Sequence, residues 1–248
     1  MKNKTALITG ATSGIGEQIA KQLAQKGVLV CINYSQSDNK AKKVADEITK
    51  QGGKVSLYKA DVSNESSVKR MFEEIQKDHG KLDYLVNNAG IDRPQPFESY
   101  ELSDWNALIG VNLTGKFLCI KHAIPLLKQS DSPWVVNIAS RMAEKPYVPE
   151  ISAYACSEAG VIMLTKVAAK ELAKFRIRVN TVSPGLTRTP LTESIIPDST
   201  VWEKLAKANP SQRVGKPADV ANAVLFLLSE EADYINGTNV EVNGGSTL

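Results

Sequence analysis

A chain of 248 residues, 42% of them hydrophobic, has the length and apolar content for one large α/β domain with a full core. Its net charge of +3 is dispersed, which argues against a nucleic-acid partner, and no stretch reaches the roughly 18 apolar residues of a membrane span. Cys31, Cys119 and Cys156 lie far apart with no C-x-x-C and the only histidines are His79 and His122, so no metal site is expected; with an apolar run after Lys2 and Lys4 too short for a signal peptide, a reducing, cytoplasmic setting is expected.

Along the chain the hydrophobic period switches repeatedly between strand and helix. Ala6 to Ile8 is a short apolar run ending in a glycine-rich turn, after which Ile15, Ile19 and Leu23 mark one helix face. Val28 to Ile32 reads as a second strand, Ala41, Val44, Ala45 and Ile48 as a helix, and Val55 to Tyr58 as a strand. A helix through Val68, Met71, Phe72 and Ile75 follows, then strands at Leu82 to Val86, Trp134 to Ile138 and Ile177 to Val182. The alternation predicts right-handed βαβ units, hence a parallel sheet covered on both faces and no internal boundary. The stretch from about 187 to 212, with Pro190, Pro197 and Pro210, reads as an irregular insert and is expected to be a substrate lid.

The turn after the first strand reads Thr9-Gly10-Ala11-Thr12-Ser13-Gly14-Ile15-Gly16 and runs directly into a helix. Glycines let the backbone approach a pyrophosphate, and the helix N-terminus offers free N–H groups. No Gly-Lys-Ser/Thr follows, which excludes a Walker-type loop. The spacing resembles the fingerprint of the short-chain dehydrogenase/reductase family, and further motifs match in order. These are Asp61-Val62, Asn87-Asn88-Ala89-Gly90, Val111-Asn112, Ser140, Tyr154, Ser183-Pro184-Gly185 and Val242-Asn243-Gly244-Gly245. Within that family the chain resembles the bacterial 3-oxoacyl-thioester reductases and the glucose dehydrogenase-like members. The resemblance implies a single-domain Rossmann-type doubly wound sheet, a nicotinamide dinucleotide and a homotetramer with the Tyr154 helix at an interface.

A carboxylate at the end of the second strand would bind both adenosine ribose hydroxyls and repel a 2′-phosphate. Here Asn33, Tyr34 and Ser35 stand there, with no acid until Asp38, so NADP(H) is favoured and NAD(H) remains an alternative. Ser35 can donate to a phosphate, whereas Ser13 stands where many NADP-using relatives carry a basic residue. Lys40, Lys42 and Lys43 read equally well as a solvated face. By resemblance, Asp61 and Val62 contact the adenine, and Asn88, Ala89 and Gly90 lie along the cofactor. Pro184, Gly185 and Thr187 complete the contacts, with Thr187 at the nicotinamide carboxamide.

The resemblance also implies four catalytic positions. A tyrosine protonates the substrate carbonyl, a serine hydrogen-bonds the same oxygen, a lysine lowers the tyrosine pKa, and an asparagine anchors a water leading to the lysine. Tyr154, Ser140 and Asn112 fill three of them. Glu158 occupies the fourth, four residues beyond Tyr154 and so on the same helix face. At ~5 Å and an effective dielectric of about 20 a unit charge is worth roughly 3 kcal/mol, or about 2 pKa units. An ionised Glu158 therefore raises the tyrosine pKa where a lysine would lower it. That leaves the proton-donating phenol available and handicaps the tyrosinate needed for alcohol oxidation. Three functions compete: carbonyl reduction with Arg141 or Lys145 as substitute cation, dinucleotide binding without redox activity, and a non-redox elimination, isomerisation or cyclisation. Leu186, Leu191, Ile195, Ile196 and Trp202, with Pro94, Pro96 and Phe97, suit a partly apolar small-molecule carbonyl or alcohol substrate; Arg93 and Arg141 could attract an acidic group. Cys156 is expected to face away from the site.

Overall fold

The computed structural model describes all 248 residues and forms one α/β domain. Seven parallel strands lie in the order β3-β2-β1-β4-β5-β6-β7, with the direction of winding reversing between β1 and β4. The strands are β1 Thr5–Ile8, β2 Leu29–Tyr34, β3 Lys54–Lys59, β4 Tyr84–Asn87, β5 Trp134–Ile138, β6 Arg178–Pro184 and β7 Asn239–Val242. Every residue of β1, β4, β5 and β6 is buried, as expected of central strands covered on both sides.

One face is covered by α1 (Gly14–Gln25), α2 (Asp38–Lys50) and α9 (Pro217–Leu227), whose Ile19, Leu23, Val44, Ile48 and Val224 share a core with Ile8, Ile32 and Val86. The other carries α3 (Glu65–His79), α5 (Gly115–Leu127) and α6 (Ser152–Leu172), packed on Leu7, Leu85, Val135 and Val179. Helix α4 (Leu102–Ile109) runs through a π-helical turn, Gly110–Thr114, into α5. The run Leu102–Leu127 has the length and mean hydropathy (1.2) of a membrane span, contrary to the expectation of none, but it contains Lys116 and Lys121 and 44% of its apolar window is buried within the fold.

The insert from 187 to 212 is more ordered than the prolines suggest. It contains α7 (Pro190–Ile195) and α8 (Ser199–Ala208). Thr189 caps the first through a reciprocal box with Thr192, and Asp198 accepts from Thr200 N at the start of the second. Pro190 occupies the first helical position, where its missing N–H costs nothing.

A buried polar chain crosses the sheet beneath the site. Asn87 Nδ2 donates to Asn137 Oδ1 (2.8 Å), Asn137 Nδ2 to Thr165 Oγ1 (2.8 Å) and Thr181 Oγ1 to the same oxygen (2.6 Å). Thr165 in turn donates to Val161 O, so β4, β5 and β6 are tied to the middle of α6.

Candidate active site

The carboxyl ends of the strands open on a cleft of about 1080 Å³ at the point where the winding reverses. Its first wall is the glycine turn. Gly10 and Gly14 adopt left-handed backbone (φ +63° and +59°), and a Cβ on Gly16 would sit 2.4 Å from Asn88 Nδ2. Asn88 Nδ2 donates to the main-chain oxygens of Thr9 and Gly10, while Thr9 Oγ1 accepts from the N–H groups of Asn88 and Ala89. The two motifs thus brace each other across the ends of β1 and β4.

Most of the expected dinucleotide residues meet on this cleft. Gly10, Ser13, Gly14, Ile15, Asn33, Tyr34 and Ser35 line one side, and Asp61, Val62, Asn88, Ala89, Gly90, Pro184, Gly185 and Thr187 line the rest. Thr12 and Gly16 do not line it; Gly16 lies beneath, against Asn88. The side chain of Asn33 is committed to the backbone, accepting from Gly10 N and donating to Ala60 O at 3.0 Å, while the Tyr34 hydroxyl faces Asp38. Asp38, the first acid after β2, is paired with Lys59 at 3.0 Å.

Ser140 follows β5, and Tyr154 stands in the first turn of α6; both line the cleft with Glu158. Burial raises the Tyr154 phenol well above its ordinary value, the Glu158 carboxylate and Asp92 raise it further, and the Ser140 hydroxyl offsets part of the rise. Glu158 is only 3% exposed. Burial pushes its carboxyl up to about 7, against the pull of Lys116 and the Asn112 amide and with the help of Asp92. Glu158 Oε1 accepts from Asn112 Nδ2 at 3.2 Å, and Oε2 is buried without a protein partner. Asn112 itself is fully buried, and its amide is clamped on the main chain of Ile91 by two bonds of 2.9 Å.

The cations expected to replace the lysine are engaged elsewhere. Arg141 stacks over the Tyr147 ring at 4.8 Å, and Lys145 donates to Thr247 O. Arg93, a candidate for attracting acids, is paired with Asp104 at 2.5 Å. Arg93 still lines the cleft, but the buried cation there is Lys116, 3% exposed, whose Nζ donates to Asn112 O (2.8 Å) and Ala89 O (3.2 Å). Sequence reasoning missed it, although a lysine four residues after Asn112, at the start of the largely apolar Gly115-to-Leu127 helix, was the available signal. Asp92 was missed too; its carboxyl is raised by burial, and one oxygen has no partner.

Of the apolar residues expected at the mouth, Leu191 lines the cleft. Trp202 is instead buried at the joint of α7 and α8, donating to Ile196 O at 2.9 Å, and Phe97 is 82% exposed. Cys156 does not line the cleft, in keeping with its place two residues beyond Tyr154, but it is exposed rather than packed in the core.

Residues 10–247 match the family described as Enoyl-(Acyl carrier protein) reductase. The 3-oxoacyl-[acyl-carrier-protein] reductase FabG of Staphylococcus epidermidis is 38% identical over 243 residues, 98% of this chain and 98% of that protein. The chain belongs to the short-chain dehydrogenase/reductase family. It is therefore an oxidoreductase of the NAD(P)(H)-using kind. Another curated member, 3beta-hydroxysteroid dehydrogenase 1 of Eggerthella lenta, is 35% identical over 248 residues, covering 100% of this chain and 95% of that one. The fold agrees: a gluconate 5-dehydrogenase from Burkholderia cenocepacia J2315, solved in complex with NADP and tartrate, superposes with a TM-score of 0.93 at 32% identity, covering 100% of this short-chain dehydrogenase/reductase and 96% of that chain.

Proposed function

We propose that this enzyme is a cytoplasmic, NADPH-dependent reductase that converts the ketone of a 3-oxoacyl thioester, or a related ketone, to an alcohol. The observation that carries the direction is the environment of Tyr154, where burial and Glu158 both favour the protonated phenol. A protonated phenol is the form required of a general acid.

The cleft fits a nicotinamide dinucleotide. The missing Cβ atoms of the glycine turn leave a cradle, and Ser13 makes no side-chain cap on α1, so the helix N–H groups are free for a phosphate. When bound, the dinucleotide supplies hydride to the carbonyl carbon. Tyr154 gives its phenolic proton to the carbonyl oxygen, and Ser140 donates a hydrogen bond to that oxygen. Glu158 lines the cleft as an acceptor for ribose hydroxyls, and Asn112 fixes its carboxylate through Oε1. Asp61 and Val62 take the adenine, and Thr187 takes the carboxamide. With Asp38 neutralised by Lys59 and no other acid at the end of β2, the adenosine side favours NADP(H) over NAD(H). The segment 187–212 serves as a lid: α7 starts against the glycine turn, with Thr189 carbons 3.2 Å from the place of a Cβ on Gly14. Phe117, Met163 and Val167, between 46% and 58% exposed on α5 and α6, form the face through which we infer a homotetramer.

The test follows NADPH absorbance with a panel of 3-oxoacyl thioesters, diketones and quinones, for the native chain and Glu158→Lys. Substrate-dependent consumption by the native chain supports the reading. Turnover by Glu158→Lys alone overturns it in favour of a disabled reductase, and substrate conversion with NADPH untouched favours non-redox chemistry.

A further inference from the structure

Two ionisable side chains in the cleft, one basic and one acidic, are almost completely buried and come from different helices; burial lowers the Lys116 ammonium and raises the Glu158 carboxyl, and each draws the other back towards its charged form. Lys116 belongs to the first turn of α5 and Glu158 to the second turn of α6. Each is bonded to Asn112, Glu158 to its side-chain amide and Lys116 to its main-chain oxygen. No carboxylate lies within 4 Å of Lys116 Nζ, so this is not a contact ion pair but two charges bridged by one asparagine. A lone buried ammonium is costly, and so is a lone buried carboxylate; two of opposite sign on one bridging residue offset each other. The π-helical turn Gly110–Thr114 makes the arrangement: the backbone widens where Asn112 sits, and Lys116 folds back onto that oxygen.

We propose that Lys116 and Glu158 form a transposed charge pair, in which α5 rather than the tyrosine helix provides the cation of the active site and Glu158 is its counter-ion through Asn112. Lys116 is a positioning residue: it sets the charge carried by Glu158, and Glu158 in turn acts on Tyr154. The charged or titratable groups facing Glu158 are Lys116, Asp92 and Tyr154, and only Lys116 favours its anionic form. The catalytic consequence rests on the reading of Tyr154 as proton donor; the pair itself does not.

The experiment needs neither cofactor nor substrate, so its failure is distinct from a failure to bind or oxidise NADPH. The carboxyl stretch of Glu158 is followed against pH by infrared difference spectroscopy and identified by its loss in Glu158→Gln. In Lys116→Met its midpoint should move upward by about one pH unit or more; an unmoved midpoint overturns the proposal. In parallel, Tm is measured for Glu158→Lys alone and combined with Lys116→Met. Two buried cations on Asn112 should lower Tm by roughly 10 °C in the single variant, and removing Lys116 should restore most of that loss. Equal losses in both backgrounds would show that the two side chains are uncoupled and would sink the idea.

Discussion

Asn112 Nδ2 donates to Glu158 Oε1 at 3.2 Å, which joins the π-helical turn before α5 to the inner face of α6. The bond holds a carboxylate four residues from Tyr154, in surroundings that strip it of water. This fixed, partly satisfied acid is the source of the first two predictions.

The Glu158 carboxyl is raised from an ordinary 4.5 to about 7, so the folded chain binds one more proton than the unfolded chain between those values. Stability contributed by this group is full below pH 4.5, declines as pH rises, and is gone above about 7. Urea denaturation at pH 5 and pH 8 should show a loss on the order of 3 kcal/mol from this group. Glu158→Gln should remove most of that slope; an unchanged slope would mean that Glu158 ionises normally.

Tyr154→Phe should reduce NADPH-dependent turnover by roughly 10²–10⁴-fold while the Kd for NADPH changes little. In the native protein, alcohol oxidation should be slower than reduction at pH 7 and should gain on it as pH rises, because the raised phenol resists ionisation. Rates in both directions across pH 6 to 10 would check this.

Gly16→Ala places a methyl group 2.4 Å from Asn88 Nδ2 and 2.8 Å from Gly10 O. Asn88 must then release the glycine turn or the turn must shift. The expected cost is about 1–3 kcal/mol of stability, with NADPH binding weakened about tenfold or more, read by thermal melts and fluorescence titration.

Ser35→Asp puts a carboxylate beside the adenosine end of the cleft, where Asp38 is already neutralised by Lys59. The ratio of kcat/KM for NADPH over NADH should fall about tenfold, a difference of ~1.4 kcal/mol. A ratio that stays constant would place the ribose elsewhere.

Of the three thiols, only Cys156 should react with a thiol reagent in the native protein. Cys31 and Cys119 are buried, and desolvation pushes each thiol up to about 12, so both should label only on unfolding. Timed alkylation and mass spectrometry would distinguish them.

The sheet was legible because its central strands are short stretches rich in valine, leucine and isoleucine: Trp134 to Ile138 was read with its observed bounds, and the others fell within one or two residues. Strand β7 was not, since Asn239, Val240, Glu241 and Val242 are partly exposed at the sheet edge and carry little pattern. The short helices α7 and α8 were hidden because prolines read as breakers unless the caps at Thr189 and Asp198 are recognised. Trp202 looked like a mouth residue, yet its indole closes a joint within the insert. The charge reversal at Glu158 could be read directly. Its counterpart was harder to read: the four-residue spacing places Lys116 over Asn112, but that Asn112 also reaches Glu158 on another helix is set by tertiary packing.

The Asn87–Asn137–Thr165–Thr181 chain runs behind all of this. Thr165 gives its one hydrogen to Val161 O and takes two others, so its bonding capacity is full. For α6 to slide or tilt on the sheet, several of these bonds must break at once in a place water cannot reach. The molecule is thereby divided into a keel and a deck. The keel fixes where the phenol stands, and the deck, made of α7, α8 and their capped loops, can change its residues without moving it. On the function proposed above, new substrate preferences can arise in one half of the protein while the phenol in the other keeps its station.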